Sequence, residues 1–141
     1  MNIGLCIRIV GLLLMLFSLG TLPSMVLGWV QEDGTAEVFG QAFAATAISG
    51  VVLSLLTQRV NTELQIRDGF LVTAAFWIVL SLYGSLPFLL SDAIEVSVFG
   101  AVFESVSGLT TTGATVLAGL DTLPQSILLY RQLLQWLGGI G

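Results

Sequence analysis

The chain has 141 residues, of which 55% are apolar and only 9% are charged, and its mean hydropathy is +0.98. Soluble domains carry about 25% charged residues, so this composition indicates an integral membrane protein. Four arginines and no lysine leave no basic patch for nucleic acid, and one cysteine without any histidine does not favour a zinc or haem site. The sequence also contains no evident pairing of a nucleophile with a base, which argues against an enzyme.

A nearly unbroken apolar run covers residues 9–30, directly after Arg8. About 20 apolar residues span a bilayer core, so this run predicts a first transmembrane helix. A cleaved signal peptide is the rival interpretation, but the run is longer than the roughly 7–15 residues of a signal core. Pro23 is expected to kink the helix near its outer end.

A second predicted span covers residues 38–56 and is rich in the small residues that let helices approach closely in lipid. It follows an acidic turn at residues 31–37 and leads into a hydrophilic connection at residues 57–69, which carries Arg59 and Arg67. The positive-inside rule places this connection and the amino terminus in the cytoplasm. The acidic turn is then outside.

A third predicted span, residues 70–90, is followed by a second acidic segment at residues 91–95. The next apolar stretch, residues 96–106, would extend only roughly 16 Å as a helix, which is half of a crossing, and the half-helix is predicted at about residues 96–107. Such a length favours a re-entrant helix. Its carboxyl end would place the negative end of the helix dipole at mid-membrane, where a cation is stabilised.

Residues 110–114 read Thr-Thr-Thr-Gly-Ala, which is a poor helix interior. Non-helical backbone at membrane depth survives only where it is buried in protein or lines a water-filled path. We therefore expect residues 110–114 to be extended and to turn their carbonyls toward a permeating ion, since carbonyl rings replace the hydration shell of potassium. The alternative is an ordinary small-residue turn.

Residues 117–123 are predicted to return the chain outward, and Asp121 or Thr122 is expected to cap a last helix with Pro124 in its first turn. The resulting order is a span, a half-helix, an extended filter and a second span. This is the pore unit of potassium channels.

Glu104 and Arg131 fall inside apolar segments, although a charge at the bilayer centre costs about 2.5–3.5 kcal/mol on insertion scales. Our hypothesis is that both side chains face protein and brace the pore loop by pairing. In the alternative, Arg131 snorkels to the membrane interface.

The segments 103–115, 119–124 and 130–139 closely resemble the first pore repeat of the TrkH-type membrane subunit of the Trk potassium-uptake family. Residues 67–70 (Arg-Asp-Gly-Phe) and 86–88 (Leu-Pro-Phe) also fit that family, so the resemblance covers essentially the whole chain. It implies an all-α integral membrane protein with two leading transmembrane helices and one helix–pore-loop–helix repeat of a potassium-channel-like fold.

The resemblance also implies residue roles. Thr111 and Thr112 match the potassium-binding filter positions of the family, and Gly113 matches its filter glycine. Thr110 and Ala114 join Gly113 as filter support. The two leading helices would occupy residues 1–60, and the first repeat would occupy residues 61–141 and stop within its last helix.

For function, the resemblance implies potassium uptake by symport across the bacterial inner membrane, with the coupling ion left open. It further implies a homodimer in membrane lipid and a cytoplasmic nucleotide-binding regulator of the TrkA type.

One feature departs from the family pattern. The chain contains a single Thr-Thr-Gly, whereas a carbonyl ring needs four strands. We therefore expect an incomplete, amino-terminal portion that does not conduct alone. Two other classes remain open, which are a subunit of a homo-oligomeric cation channel and a non-conducting polytopic membrane protein whose threonines only pack helices.

Overall fold

A computed structural model describes residues 3–57 and 65–140, and all the regular structure in these two ranges is helical. The helices are α1 (Ile3–Ser18), α2 (Leu22–Gln31), α3 (Thr35–Leu56), α4 (Ile66–Gly84), α5 (Leu86–Leu90), α6 (Val98–Leu109) and α7 (Gln125–Ile140). Two short 3₁₀ turns, Leu19–Thr21 and Leu120–Thr122, complete the order. The predicted all-α membrane fold is confirmed.

Three apolar helical segments are long enough to cross a bilayer: Ile3–Gln31, Thr35–Leu56 and Ile66–Leu90. They confirm the three predicted spans, and each begins a few residues earlier than its apolar run suggested. The structure therefore supports a protein that lies in a membrane.

The hydrophilic connection predicted at residues 57–69 is too long at its carboxyl end, because α4 already begins at Ile66. The backbone amide of Gln65 donates to a carboxylate oxygen of Asp68 at 3.2 Å, and this half of a capping box starts the helix before the apolar run begins. Arg67 is thus helical, whereas Arg59 lies outside the described residues.

Two of the spans are interrupted just before a proline. The first span tightens into the 3₁₀ turn ahead of Pro23, where a kink was predicted, and the third breaks between α4 and α5 ahead of Pro87. In each case a hydroxyl two residues before the proline donates to a carbonyl three residues back, from Thr21 to Ser18 at 2.7 Å and from Ser85 to Leu82 at 2.6 Å. Side-chain hydroxyls that bond back to the preceding turn in this way often bend helices.

The leading helices α1 and α3 pack backbone against backbone at Gly11 and Gly50. A Cβ atom added to Gly50 would lie 2.6 Å from the carbonyl oxygen of Gly11, so no side chain fits at this crossing. Small residues at helix contacts permit this approach in lipid.

The aromatic ring of Tyr130, on α7, lies at the centre of the bundle. It packs against Phe39 and Phe88 with 5.4 Å between ring centroids in each pair, and its hydroxyl donates to the carbonyl of Gly84 at 2.9 Å. These contacts fix α7 against α3, α4 and α5. The fixed face of α7 then supports α6.

The cap predicted for α7 is wrong. Asp121 and Thr122 lie in the 3₁₀ turn, and the carbonyl of Pro124 accepts from the amides of Ile127 at 3.1 Å and Leu128 at 3.2 Å. Pro124 therefore occupies the position just before the helix, not one in its first turn. Proline fits there because that position needs no amide donor for the helix.

Candidate ion-binding site

The predicted half-helix is α6, a 12-residue apolar helix of roughly 18 Å. It begins and ends two residues later than predicted. The Ser97 hydroxyl accepts from the amide of Gly100 at 3.1 Å, which places Ser97 outside the helix as its cap. At the other end, Leu109 is buried and continues the helix past the predicted end.

The carboxyl end of α6 closes in a Schellman motif. The amide of Thr111 donates to the Gly108 carbonyl at 2.9 Å, and the amide of Thr112 donates to the Ser107 carbonyl at 2.9 Å. Thr110 and Thr111 are therefore turn residues, which corrects the prediction that the extended segment begins at residue 110; backbone outside helices and turns runs from 112 to 117.

Thr111 adopts the left-handed conformation, with φ of 57°. A β-branched residue is strained there, and glycine is the usual occupant of this position in a Schellman motif. Such strain persists only where surrounding contacts hold it, and it gathers at functional sites.

Ser107 ties residues 112–114, directly beyond the cap, to α6. The Ser107 carbonyl accepts from the amides of Thr112 at 2.9 Å and Gly113 at 3.2 Å, and the Ser107 hydroxyl donates to the Ala114 carbonyl at 2.7 Å. Sequence reasoning missed this residue. The only local signal was a serine one turn before the threonine run, which is common in any helix.

These bonds determine where two carbonyls point. Peptide bonds are trans throughout the described chain, and in a planar trans peptide the carbonyl points opposite to the amide. Because the amides of Thr112 and Gly113 point at Ser107, the carbonyls of Thr111 and Thr112 point away from α6. Thr111, Thr112 and Gly113 are all exposed, so this face is open.

The threonine hydroxyls are engaged with the helix end. The Thr110 hydroxyl donates to the Val106 carbonyl at 2.7 Å and lies 2.9 Å from the Thr112 hydroxyl. Since the single hydroxyl proton of Thr110 is used, Thr112 is the donor in the second bond. Thr110 thus supports Thr112.

The predicted pair of Glu104 and Arg131 is formed. Arg131 Nε donates to Glu104 Oε2 at 3.0 Å, and the side chains are 10% and 1% exposed for Arg131 and Glu104 respectively. The other carboxylate oxygen accepts from the Thr115 hydroxyl and from the amides of Val116 at 2.6 Å and Leu117 at 3.3 Å. Glu104 thereby connects α7 to the backbone of residues 115–117.

The carboxyl end of α7 touches the carboxyl end of α6. A Cβ atom added to Gly138 would overlap the carbonyl group of Leu109, whose Cα atom would be only 2.9 Å away. The next residue, Gly139, faces Thr111, with its added Cβ atom 3.8 Å from a methyl carbon. α7 therefore supports the end of α6 from which the strained Thr111 emerges.

The opposite end of α7 is held by Asp33, a contact that the sequence did not predict. The Asp33 carboxylate accepts from the amide of Thr35 at 3.0 Å and from the hydroxyls of Thr35 at 2.6 Å and Ser126 at 3.0 Å. Partial burial raises the pKa of Asp33, but these hydrogen bonds to the charged form outweigh burial and hold the pKa below its ordinary value. The turn between α2 and α3 is thus fixed to the start of α7.

Three membrane-length helices, a half-length helix and an exposed non-helical segment with outward carbonyls define a pore-loop membrane protein of the potassium-channel-like class. The family profile TrkH, described as a cation transport protein, matches residues 35–141. The chain belongs to this family.

Individual members of this family are also similar to the chain in sequence and structure. The Trk system potassium uptake protein TrkH of Halomonas elongata is 50% identical over 141 residues, which are 100% of this chain and 29% of that protein. Its counterpart in Escherichia coli K12 is 48% identical over 136 residues, 95% of this chain and 28% of that protein. The crystal structure of the potassium transporter TrkH from Vibrio parahaemolyticus matches with a TM-score of 0.94 at 48% identity, covering 100% of this chain and 30% of that one. The chain thus spans less than a third of the length of these relatives.

Proposed function

We propose that this chain supplies one of four filter strands in a Trk-type system that takes up potassium. The observation that carries the proposal is the direction of the Thr111 and Thr112 carbonyls, which point away from α6 on an exposed face. Carbonyl oxygens in this arrangement replace the water shell of a potassium ion. Because the chain covers 29% of the Halomonas protein, the other three strands would come from the remainder of such a protein.

Each filter residue then has a defined role. The Thr111 and Thr112 carbonyls bind the ion, and Thr110 holds Thr112 through its hydroxyl. Gly113 adopts a positive φ of 75°, and the Ala114 carbonyl accepts a hydrogen bond from the Ser107 hydroxyl of α6. Glu104 and Arg131 brace the strand from behind.

The distribution of charge supports a cytoplasmic amino terminus, and family membership supports a bacterial inner-membrane location. The Cys6 thiol contacts the Asp68 carbonyl at 3.8 Å, so Arg8 and Arg67 lie near the same end of the bundle. The acidic turn that contains Asp33 lies at the other end, beside Ser126. Arginines mark the cytoplasmic side. A homodimer, a TrkA-type regulator and symport belong to the same proposal and rest on family membership.

The test uses a chimera in which this chain replaces the matching part of the Vibrio parahaemolyticus transporter. In a bacterium deficient in potassium uptake, we expect the chimera to restore growth at low potassium. We expect Gly113→Asp to reduce potassium uptake at least tenfold, because it places a charged side chain on the filter strand at a strained φ.

Gly34→Asp is the matched control. Gly34 has nearly the same φ, 78°, and no atom of the described residues lies within 4 Å of its added Cβ atom, but it is in the acidic turn. We expect it to retain uptake. Parental uptake by the Gly113→Asp chimera, at equal abundance in the membrane, would contradict the proposal.

A further inference from the structure

The hydrogen bond that the Ser107 side chain donates differs from those of most serines and threonines in these helices. Serine and threonine in a helix commonly donate to the carbonyl four residues back, as Thr46 does to Ala42 at 2.8 Å and Ser49 does to Ala45 at 2.7 Å. Ser107 instead donates forward, seven residues along the chain, to the carbonyl of Ala114 at 2.7 Å. The residue is 5% exposed, so water does not readily replace this donor.

This bond orients the Ala114 carbonyl differently from the carbonyls of Thr111 and Thr112. The Thr111 and Thr112 carbonyls point away from α6, whereas the Ala114 carbonyl points toward α6 and its bonded hydroxyl. The row of outward carbonyls therefore ends before Ala114. Selectivity between potassium and sodium depends either on the size of the binding cavity or on the number and field strength of its carbonyl ligands. A carbonyl added at this end would change the cavity size and the number of ligands.

We propose that the Ser107 hydroxyl is a specificity-determining positioning group, which holds the Ala114 carbonyl out of the ion path. The inference rests on the proposed function, since it assumes that this strand lines the path. Without the hydroxyl, the peptide after Ala114 is free to rotate and to offer an additional oxygen to the ion.

The test is Ser107→Ala in the chimera, read as the ratio of potassium to sodium uptake. We expect this ratio to fall roughly three- to tenfold, the factor that the net strength of one hydrogen bond corresponds to. The maximal rate of potassium uptake should stay within about twofold of the parent, because the Ser107 carbonyl bonds to Thr112 and Gly113 are kept. A merely structural role would lower abundance and rate without changing the ratio.

Ser105→Ala is the matched control, since Ser105 is in the same helix, fully buried, and its hydroxyl has no hydrogen-bond partner among residues 3–57 and 65–140. It should leave the ratio unchanged. Ser107→Thr keeps a hydroxyl and should restore the ratio. If Ser107→Ala does not fold, Ser107→Cys replaces it, and its weaker thiol donor should give an intermediate ratio.

A parental ratio in the folded Ser107→Ala or Ser107→Cys chimera overturns the inference. If Gly113→Asp still abolishes uptake in that case, the proposed function stands and only the role of Ser107 fails. If Gly113→Asp retains uptake, the proposed function fails and the inference falls with it.

Discussion

Replacement of Glu104 by glutamine is expected to abolish potassium uptake by the chimera and to lower its melting temperature in detergent. Both carboxylate oxygens of Glu104 face donors, Arg131 on one side and the backbone amide of Val116 on the other. An amide has one acceptor oxygen, so either orientation of the glutamine places its NH₂ group against a donor. The change also leaves Arg131 buried without a counterion, and breaking a buried pair in this way costs about 3–5 kcal/mol.

Glu95→Gln is the control for the loss of a carboxylate, since Glu95 is exposed in the segment before α6. The Glu95→Gln chimera should have the potassium uptake and the melting temperature of the parent chimera. The double variant Glu104→Gln/Arg131→Leu removes the uncompensated charge, so its melting temperature should lie above the value expected from adding the two single effects. A Glu104→Gln chimera with parental uptake and melting temperature would show that Glu104 does not brace the strand.

Gly138→Ala is expected to reduce potassium uptake at least tenfold, although it adds only a methyl group. That methyl group would overlap the backbone of Leu109, the last residue of α6, so either α7 or the end of α6 must move. Overpacking of this kind typically costs about 1–3 kcal/mol. A backbone shift at Leu109 is also passed to Thr111, two residues later, whose strained conformation depends on its neighbours.

The adjacent residue provides the control. A Cβ atom on Gly139 would lie 3.8 Å from a methyl carbon of Thr111, an ordinary van der Waals distance. Gly139→Ala should therefore keep most of the uptake. Equal uptake by the Gly138→Ala and Gly139→Ala chimeras would mean that the contact of α7 with Leu109 does not position Thr111 for uptake.

The spans and the half-helix could be predicted because they follow from the length and continuity of apolar runs, which the bilayer thickness constrains directly. The pairing of Glu104 with Arg131 could also be anticipated. Two opposite charges in otherwise apolar helices each need a partner, and the chain offers few others.

The turn at Thr110 and Thr111 could not be predicted in the same way. Local propensity disfavours a left-handed threonine, so only the packing of α6 against α7 and the bonds to Ser107 and Gly108 produce it. The role of Ser107 could not be predicted either, because the carbonyl that accepts from its hydroxyl belongs to Ala114, seven residues further along the chain.

The start of α7 was mispredicted for a related reason. Asp121 and Thr122 are good capping residues, but the Thr122 hydroxyl bonds to the Gly119 carbonyl at 2.7 Å within its own 3₁₀ turn. This local bond competes with capping. The helix consequently begins after Pro124.

The central claim is that the Thr111 and Thr112 carbonyls line the ion path. Its most direct test is a crystal structure of the chimera grown in rubidium or thallium, which substitute for potassium and scatter anomalously. We predict an anomalous peak in contact with the carbonyl oxygens of Thr111 and Thr112. Peaks elsewhere in the transporter, with none near these two oxygens, would contradict the account.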